Sequence, residues 1–209
     1  ALIESLLALR YDVVLPKGEV CCGAPLLSLG LRDDAVALAE KNVRLFRDLR
    51  VEAVISLCPT CVYYLRDVYR MLLGESVESV MDDITFFANH QDRLMGKAHH
   101  QPIAYHASCH TRNMLKSDRA ARTLLAAAGY ESGSSQGGCC GFGETFSVLF
   151  DEMSASLRDK MLASYRNYNT IITSCPNCIL QFERGLNDTD KKIRHSIEII
   201  HESLAGAKP

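Results

Sequence analysis

Apolar positions along the chain fall into runs of two kinds. In DDAVALAEKNVRLFRDLR they recur at helical spacing, which predicts a helix that Asp33 or Asp34 can cap. VEAVISL then reads as a short buried strand, CVYYLRDVYRMLL as a helix and ITFFAN as a further strand. The order recurs in the second half. The strand PIAYHAS precedes helices predicted near 118–128 and 145–167, the strand NTIITS and a helix from Ile179. The strand runs are β-branched without strict alternation, as expected where both faces are covered. Strands alternating with helices imply crossover connections, so the predicted fold class is α/β with largely parallel sheets. In such sheets ligands gather outside the carboxyl ends of the strands.

The pattern is duplicated, and cysteines are duplicated with it. The first half reads CCGAP and, with 35 residues between Cys22 and it, CPTC; the second reads CCGFG and, with 34 residues between Cys140 and it, CPNC. LLALRY precedes one CCG and LLAAAGY the other. DITFFANHQDRL and SIEIIHESLAG end the two halves alike. Self-similarity at this separation marks a duplicated unit. Two repeated Rossmann-like α/β units are expected, over residues 1–97 and 98–209, divided where GKAHHQP punctuates the pattern near 96–101. The second also holds Cys109, in PIAYHASCHTRNML, for which the first has no counterpart. The chain opens as if within a helix and without Met, so an upstream strand and its cysteine loop are expected to be missing from the first unit. A naturally shortened unit is the alternative.

Composition narrows the chemistry. With 47% hydrophobic and 23% charged residues in 209, the chain is that of a globular protein able to bury a core. A formal net charge of -2 gives no ground for nucleic-acid binding or a basic membrane-surface patch. No apolar stretch is long enough to span a bilayer and no signal peptide is visible. A cytoplasmic location is expected, with membrane association only through another polypeptide of a complex.

Nine cysteines stand out. They occur as the adjacent pairs Cys21-Cys22 and Cys139-Cys140, the CxxC units Cys58-Cys61 and Cys175-Cys178, and the single Cys109. An odd number in tight groups at element ends suits metal or redox chemistry better than disulfides. Thiolates are soft donors that match iron-sulfur iron or zinc. At each CxxC a strand turns into a helix whose N–H groups stabilise thiolate charge. Pro59 and Pro176 open those helices without losing a needed donor. Asn177 can cap locally or donate toward a sulfur, and Thr60 less strongly. Gly23 and Gly141 allow a tight bend or close approach to a bulky inorganic core, with Gly137, Gly138 and Gly143 adding freedom to the second loop. The second half supplies five sulfurs where a four-iron cube or a zinc ion takes four. One is therefore spare, reactive or part of a less regular cluster. A zinc-stabilised structural module and free redox thiols remain as alternatives.

Other polar residues are secondary candidates. His106 and His110 flank Cys109 closely enough to hydrogen-bond toward a cluster, or else are satisfied core or loop residues. Arg112 either offsets cluster charge or lies in solvent. Glu144 and Thr145 read as a helix start, and His195 and His201 as packing and surface residues. No Rossmann glycine fingerprint or P-loop is present, so no nucleotide site is expected.

The doubled array resembles the CCG-domain, or cysteine-rich-domain, family. That family includes the B and D components of heterodisulfide reductases and the iron-sulfur subunits of glycolate oxidase, anaerobic glycerol-3-phosphate dehydrogenase and lactate-utilisation systems. The motif is complete in Cys109, Cys139-Cys140-Gly141 and Cys175-Cys178; in the first copy Cys21-Cys22-Gly23 and Cys58-Cys61 are present. YHASCHTRNM and CCGFGETFSV are similar to the lactate-utilisation branch, CPNCILQFERG and CPTCVYYLRDVY to heterodisulfide reductase. The resemblance implies a [4Fe-4S] cluster, noncubane in the reductases, held by all five cysteines of the second unit, and a similar second cluster in the first unit given an upstream cysteine. Zinc in the first unit is the alternative that the cysteine pattern itself leaves open. It implies an oxidoreductase subunit passing electrons from a flavoprotein or ferredoxin-like iron-sulfur partner to a disulfide or other acceptor. The alternative is a relay subunit of a 2-hydroxy-acid or glycerol-3-phosphate dehydrogenase.

Overall fold

The structure, a computed structural model, describes residues 1–94, 102–133, 138–186 and 190–204. The expected division at 96–101, Gly137 and Gly206 lie outside the described residues. The first half runs α1 (Leu2–Ala8), α2 (Ala24–Ser28), α3 (Arg32–Asp48), β1 (Val54–Ser56) and α4 (Pro59–Tyr63). A π turn at Tyr64–Val68 carries α4 into α5 (Tyr69–Leu73), followed by β2 (Val80–Asp82) and α6 (Asp83–Ala88). The second half runs β3 (Ile103–Tyr105), a π turn at His110–Leu115, α7 (Asp118–Ala127), β4 (Ser132–Gly133), α8 (Phe146–Leu149) and α9 (Asp151–Ser164). It ends with β5 (Thr170–Thr173), α10 (Pro176–Glu183), β6 (Lys192–His195) and α11 (Ser196–Leu204). Among the described residues no helix is long and apolar enough to cross a membrane.

Mixed helix and strand with parallel sheets agrees with the α/β expectation. One sheet pairs β1 with β2, Val54 opposite Val80; the other has the order β4-β3-β5-β6, every pair parallel. β3 is buried throughout, as is β5 beyond its first residue, and this explains their unbroken apolar runs. A core cluster crosses from one half to the other. It joins Leu6, Ile84 and Phe87 to Tyr105, Leu124, Ile172, Ile197 and Ile200. Smaller clusters lie beneath each cysteine region, around Val43, Leu65 and Tyr69 in the first half and Met161, Tyr165 and Phe182 in the second.

Three elements differ from expectation. ITFFAN is helical: Asp82 ends β2, accepts the Thr85 N–H at 3.0 Å and starts α6, which buries Ile84 and Phe87, three residues apart on one face. The predicted long helix near 145–167 breaks at Phe150 (φ -133°, ψ 58°) into α8 and α9. Helix α3 begins after Leu31 without a side-chain cap, and Asp33 and Asp34 occupy its first turn, where the helix dipole favours acids.

The β2–α6 and β6–α11 junctions meet in a buried polar knot. Ser117 donates to Asp82 at 2.6 Å, and Ser196 faces Asp83 at 3.5 Å. His195 accepts the Ile197 N–H at Nδ1 (3.1 Å), donates from Nε2 to the Leu57 carbonyl (3.0 Å), and holds Nδ1 3.9 Å from Asp83. Burial, then the charge of Asp82, pushes the Asp83 carboxyl up from 3.8 to about 8. Folding therefore takes up a proton between those values. The stability from this group is complete below the unfolded value and is lost as pH rises toward about 8. Thermal unfolding of the wild type and Asp83→Asn from pH 5 to 8 should show the variant's midpoint falling less steeply with pH.

Candidate metal centre

The strand ends place the cysteines. β3 ends at Tyr105, His106 N–H extends its pairing to the Ile172 carbonyl (2.8 Å), and Ser108 Oγ accepts the Thr111 N–H (3.1 Å). That turn sets Cys109 beyond the carboxyl end of the strand. β5 ends at Thr173, and Cys175 is the extended N-cap residue of α10 with Pro176 next to it (φ -124°, ψ 113°). Cys58 has the same role before α4 (φ -114°, ψ 110°), so the two CxxC loops share one geometry. Helix α10 therefore begins at Pro176, three residues before the predicted Ile179.

The two CCG loops also correspond. Gly23 and Gly141 both turn at φ 85°, a left-handed conformation that favours glycine. At Gly141 a Cβ would also lie 2.6 Å from the Ser154 carbonyl, whereas at Gly23 the nearest atom would be at 3.4 Å. The second loop is tied down further, since Ser154 donates to the Gly141 carbonyl (2.8 Å) and Gln181 to Ser154 Oγ (2.8 Å). The first is held by buried Asn42, which bonds the backbone of Val20 and Cys21 and the Tyr69 hydroxyl. Tyr69 in turn donates to the Cys22 carbonyl.

All five cysteines of the second half converge. Cys109 interacts with Cys139, Cys139 with Cys140, Cys140 with Cys178 and Cys178 with Cys175, so the thiols form one chain. Cys178 and Cys140 Sγ are 3.1 Å apart. Cys140, Cys175 and Cys178 are buried, Cys109 is half-buried and Cys139 exposed. Hydrogen bonds from Cys109 and Cys140, and from the Gly141 N–H at 3.4 Å, hold the Cys139 thiol far below its ordinary value. The donors move oppositely: Cys109 is raised by Cys139, Cys140 is pushed up to about 12 by Cys139, and Cys178 is raised by Cys140.

The first half assembles a looser set. Cys61 donates to Cys22 and Cys58, which lowers both; Cys58 falls to about 6, helped by the Cys61 and Thr60 backbone N–H groups. Cys21 stands exposed. Among the described residues the only group of three donors within 4.8 Å of one another is His106, Cys140 and Cys178.

The sites touch. His110 lies with Nδ1 3.2 Å from Thr60 Oγ1 and 3.6 Å from Cys109 Sγ, its ring 5.7 Å from that of Tyr63. Ser28 after one CCG meets Thr145 after the other at 2.8 Å. Several residues read differently from their sequence context. Thr145 is the N-cap residue of α8, in line with the helix start read there, but Glu144 before it sits at φ 56°, half-buried, and its charge bears on Cys22 and Tyr64. Burial raises its carboxyl. Its position after the second CCG is the only sequence signal. The Asn177 side chain makes no hydrogen bond among the described residues, Arg112 Nε donates to Asn113 (3.4 Å), and His201 pairs with Ser5 and Glu4.

Comparison with known proteins gives a match to the CCG family, described as a cysteine-rich domain, over residues 1–66 and 103–183. An iron-sulfur protein of Methanocaldococcus jannaschii is 29% identical over 204 residues, 96% of this chain and 40% of that protein. One of the polypeptides of fumarate reductase (CoM/CoB) from Methanothermobacter marburgensis is 27% identical, covering 96% of this chain and 42% of its own length. Lactate utilization protein A of Bacillus velezensis is 26% identical over 96% of this chain and 91% of itself. The chain thus spans less than half the length of the first two and nearly all of the third.

The loop geometry predicts an asymmetry. Gly23→Ala should cost about 1–2 kcal/mol, from the left-handed backbone. Gly141→Ala adds the Ser154 clash and should lower the unfolding free energy by more, as read by denaturant titration of both variants.

Proposed function

We propose, since the chain belongs to the CCG cysteine-rich domain family, that it is the iron-sulfur subunit of an oxidoreductase with a [4Fe-4S] cluster on Cys109, Cys139, Cys140, Cys175 and Cys178. The observation that carries this is the unbroken chain of five thiols outside the carboxyl ends of β3 and β5. The donor set fits such a group. It is all sulfur, it is buried at Cys140, Cys175 and Cys178, and backbone N–H groups stand ready for thiolate charge. A zinc ion takes four ligands and would leave one thiol free. Bound there, the cluster supplies one-electron transfer; the chain supplies thiolates, the turns that aim them and the burial that limits water.

The electrons pass from a flavoprotein or ferredoxin-like iron-sulfur partner to a disulfide, in a heterodisulfide-reductase-like reaction, or to another acceptor. The likeness to the fumarate reductase (CoM/CoB) polypeptide supports a subunit of a redox enzyme. A relay subunit of a 2-hydroxy-acid or glycerol-3-phosphate dehydrogenase is the second reading, favoured by the lactate utilization relatives matched over 91% of their length. Cys21, Cys22, Cys58 and Cys61 form a first site for a second cluster or zinc. The matching CCG and CxxC geometries support two Rossmann-like repeats over 1–97 and 98–209. The expected location is cytoplasmic.

Anaerobic reconstitution followed by iron, zinc and acid-labile sulfide analysis tests the reading. About four iron and four sulfide per filled site are expected, and Cys139→Ser or Cys175→Ser should lose the second site's share or its reducibility. Full iron content and a normal reduction signal in both variants would contradict it, as would equimolar zinc without sulfide in the wild type.

A further inference from the structure

His106 has a buried nitrogen without a protein partner. The residue is 1% exposed, between β3 and Cys109. Its Nδ1 lies 2.9 Å from the Tyr165 hydroxyl, while Nε2 has no hydrogen bond among the described residues. An imidazole nitrogen and the sulfurs of Cys140 and Cys178 lie within 4.8 Å of one another. Nδ1 is engaged by Tyr165, which leaves Nε2 as the nitrogen free to bond to sulfur. The ring is fixed edge-on between Phe182, at 4.8 Å, and Tyr165, at 6.0 Å.

The proton positions follow from the same contacts. Tyr165 is 2% exposed, and its hydroxyl has His106 as its partner. If Nδ1 carried the imidazole proton, the phenolic hydrogen would be buried without an acceptor, which is unfavourable. Donation from Tyr165 to Nδ1 removes that penalty and puts the imidazole proton on Nε2. The result is one N–H donor held at the buried end of the sulfur chain.

We propose that His106 Nε2–H donates a hydrogen bond to the sulfur of the cluster at the second site and sets its reduction potential, with Tyr165 fixing the tautomer. This rests on the iron-sulfur reading given above. Reduction adds negative charge to the sulfurs, a donor aimed at them stabilises the reduced form, and the potential rises. His106 thus touches the cofactor directly, and Tyr165 is the positioning residue that acts through it.

The test compares anaerobically reconstituted wild type, His106→Phe, His106→Gln and Tyr165→Phe. Iron and sulfide are counted first; absence of a cluster from the wild type overturns the underlying reading, separately from the role of His106. With the cluster present, His106→Phe should keep its iron, shift the midpoint potential negative and lose an exchangeable-proton coupling in hyperfine spectra. His106→Gln, which keeps an amide donor, should recover part of the shift, and Tyr165→Phe should show a smaller shift of the same sign. An unchanged midpoint in His106→Phe overturns the proposal. So does a directly bonded nitrogen coupling in the wild type, which would make the imidazole a ligand. If His106→Phe fails to fold, Tyr165→Phe decides, and an unchanged potential there overturns the proposal.

Discussion

Thiolates crowded into a buried space repel one another, and the arrangement of this chain answers that constraint at every level. The sulfurs lean on one another for compensation: hydrogen bonds from Cys109 and Cys140 favour the thiolate of Cys139, and Cys139 in turn raises both donors. The backbone supplies part of the compensation: Gly141 offers its N–H to Cys139, and Thr60 and Cys61 offer theirs to Cys58. Each CxxC thus stands at the electropositive start of a helix, where dipole and N–H groups favour negative charge. A positive inorganic core held by these thiolates would supply the remaining compensation.

The same constraint explains why the fold is rigid around the sulfurs. The second CCG loop is tied to α9 through Ser154 and to α10 through Gln181. The first is tied to α3 and α5 through Asn42 and Tyr69. Neither half is closed on itself. His195 grips the Leu57 carbonyl next to Cys58, His110 reaches Thr60, and one apolar core runs through both sheets.

Much of the site was legible because its chemistry depends on short spacings. A cysteine one or two residues past a buried strand, a proline after it and a glycine after a cysteine pair each have a local physical meaning. The structure places Cys58, Cys175, Gly23 and Gly141 accordingly. What escaped depends on distant partners. ITFFAN has strand-like composition, yet the Asp82 cap and burial of Ile84 and Phe87 make it helical. Tyr165 is 59 residues from His106 and Leu57 is 138 from His195, so neither contact leaves a local signal. Glu144 stands just before the start of α8, and only the fold brings its charge to bear on Cys22.

The most direct test of the central claim, that five sulfurs act together on one cofactor, is an anaerobic thiol-alkylation footprint of the reconstituted protein, read by peptide mass spectrometry. Protection of Cys109, Cys139, Cys140, Cys175 and Cys178 as a set, lost together on chelation, is the predicted result. Labelling of Cys109 and Cys139 at the rate of the metal-free protein, with the other three protected, would contradict it.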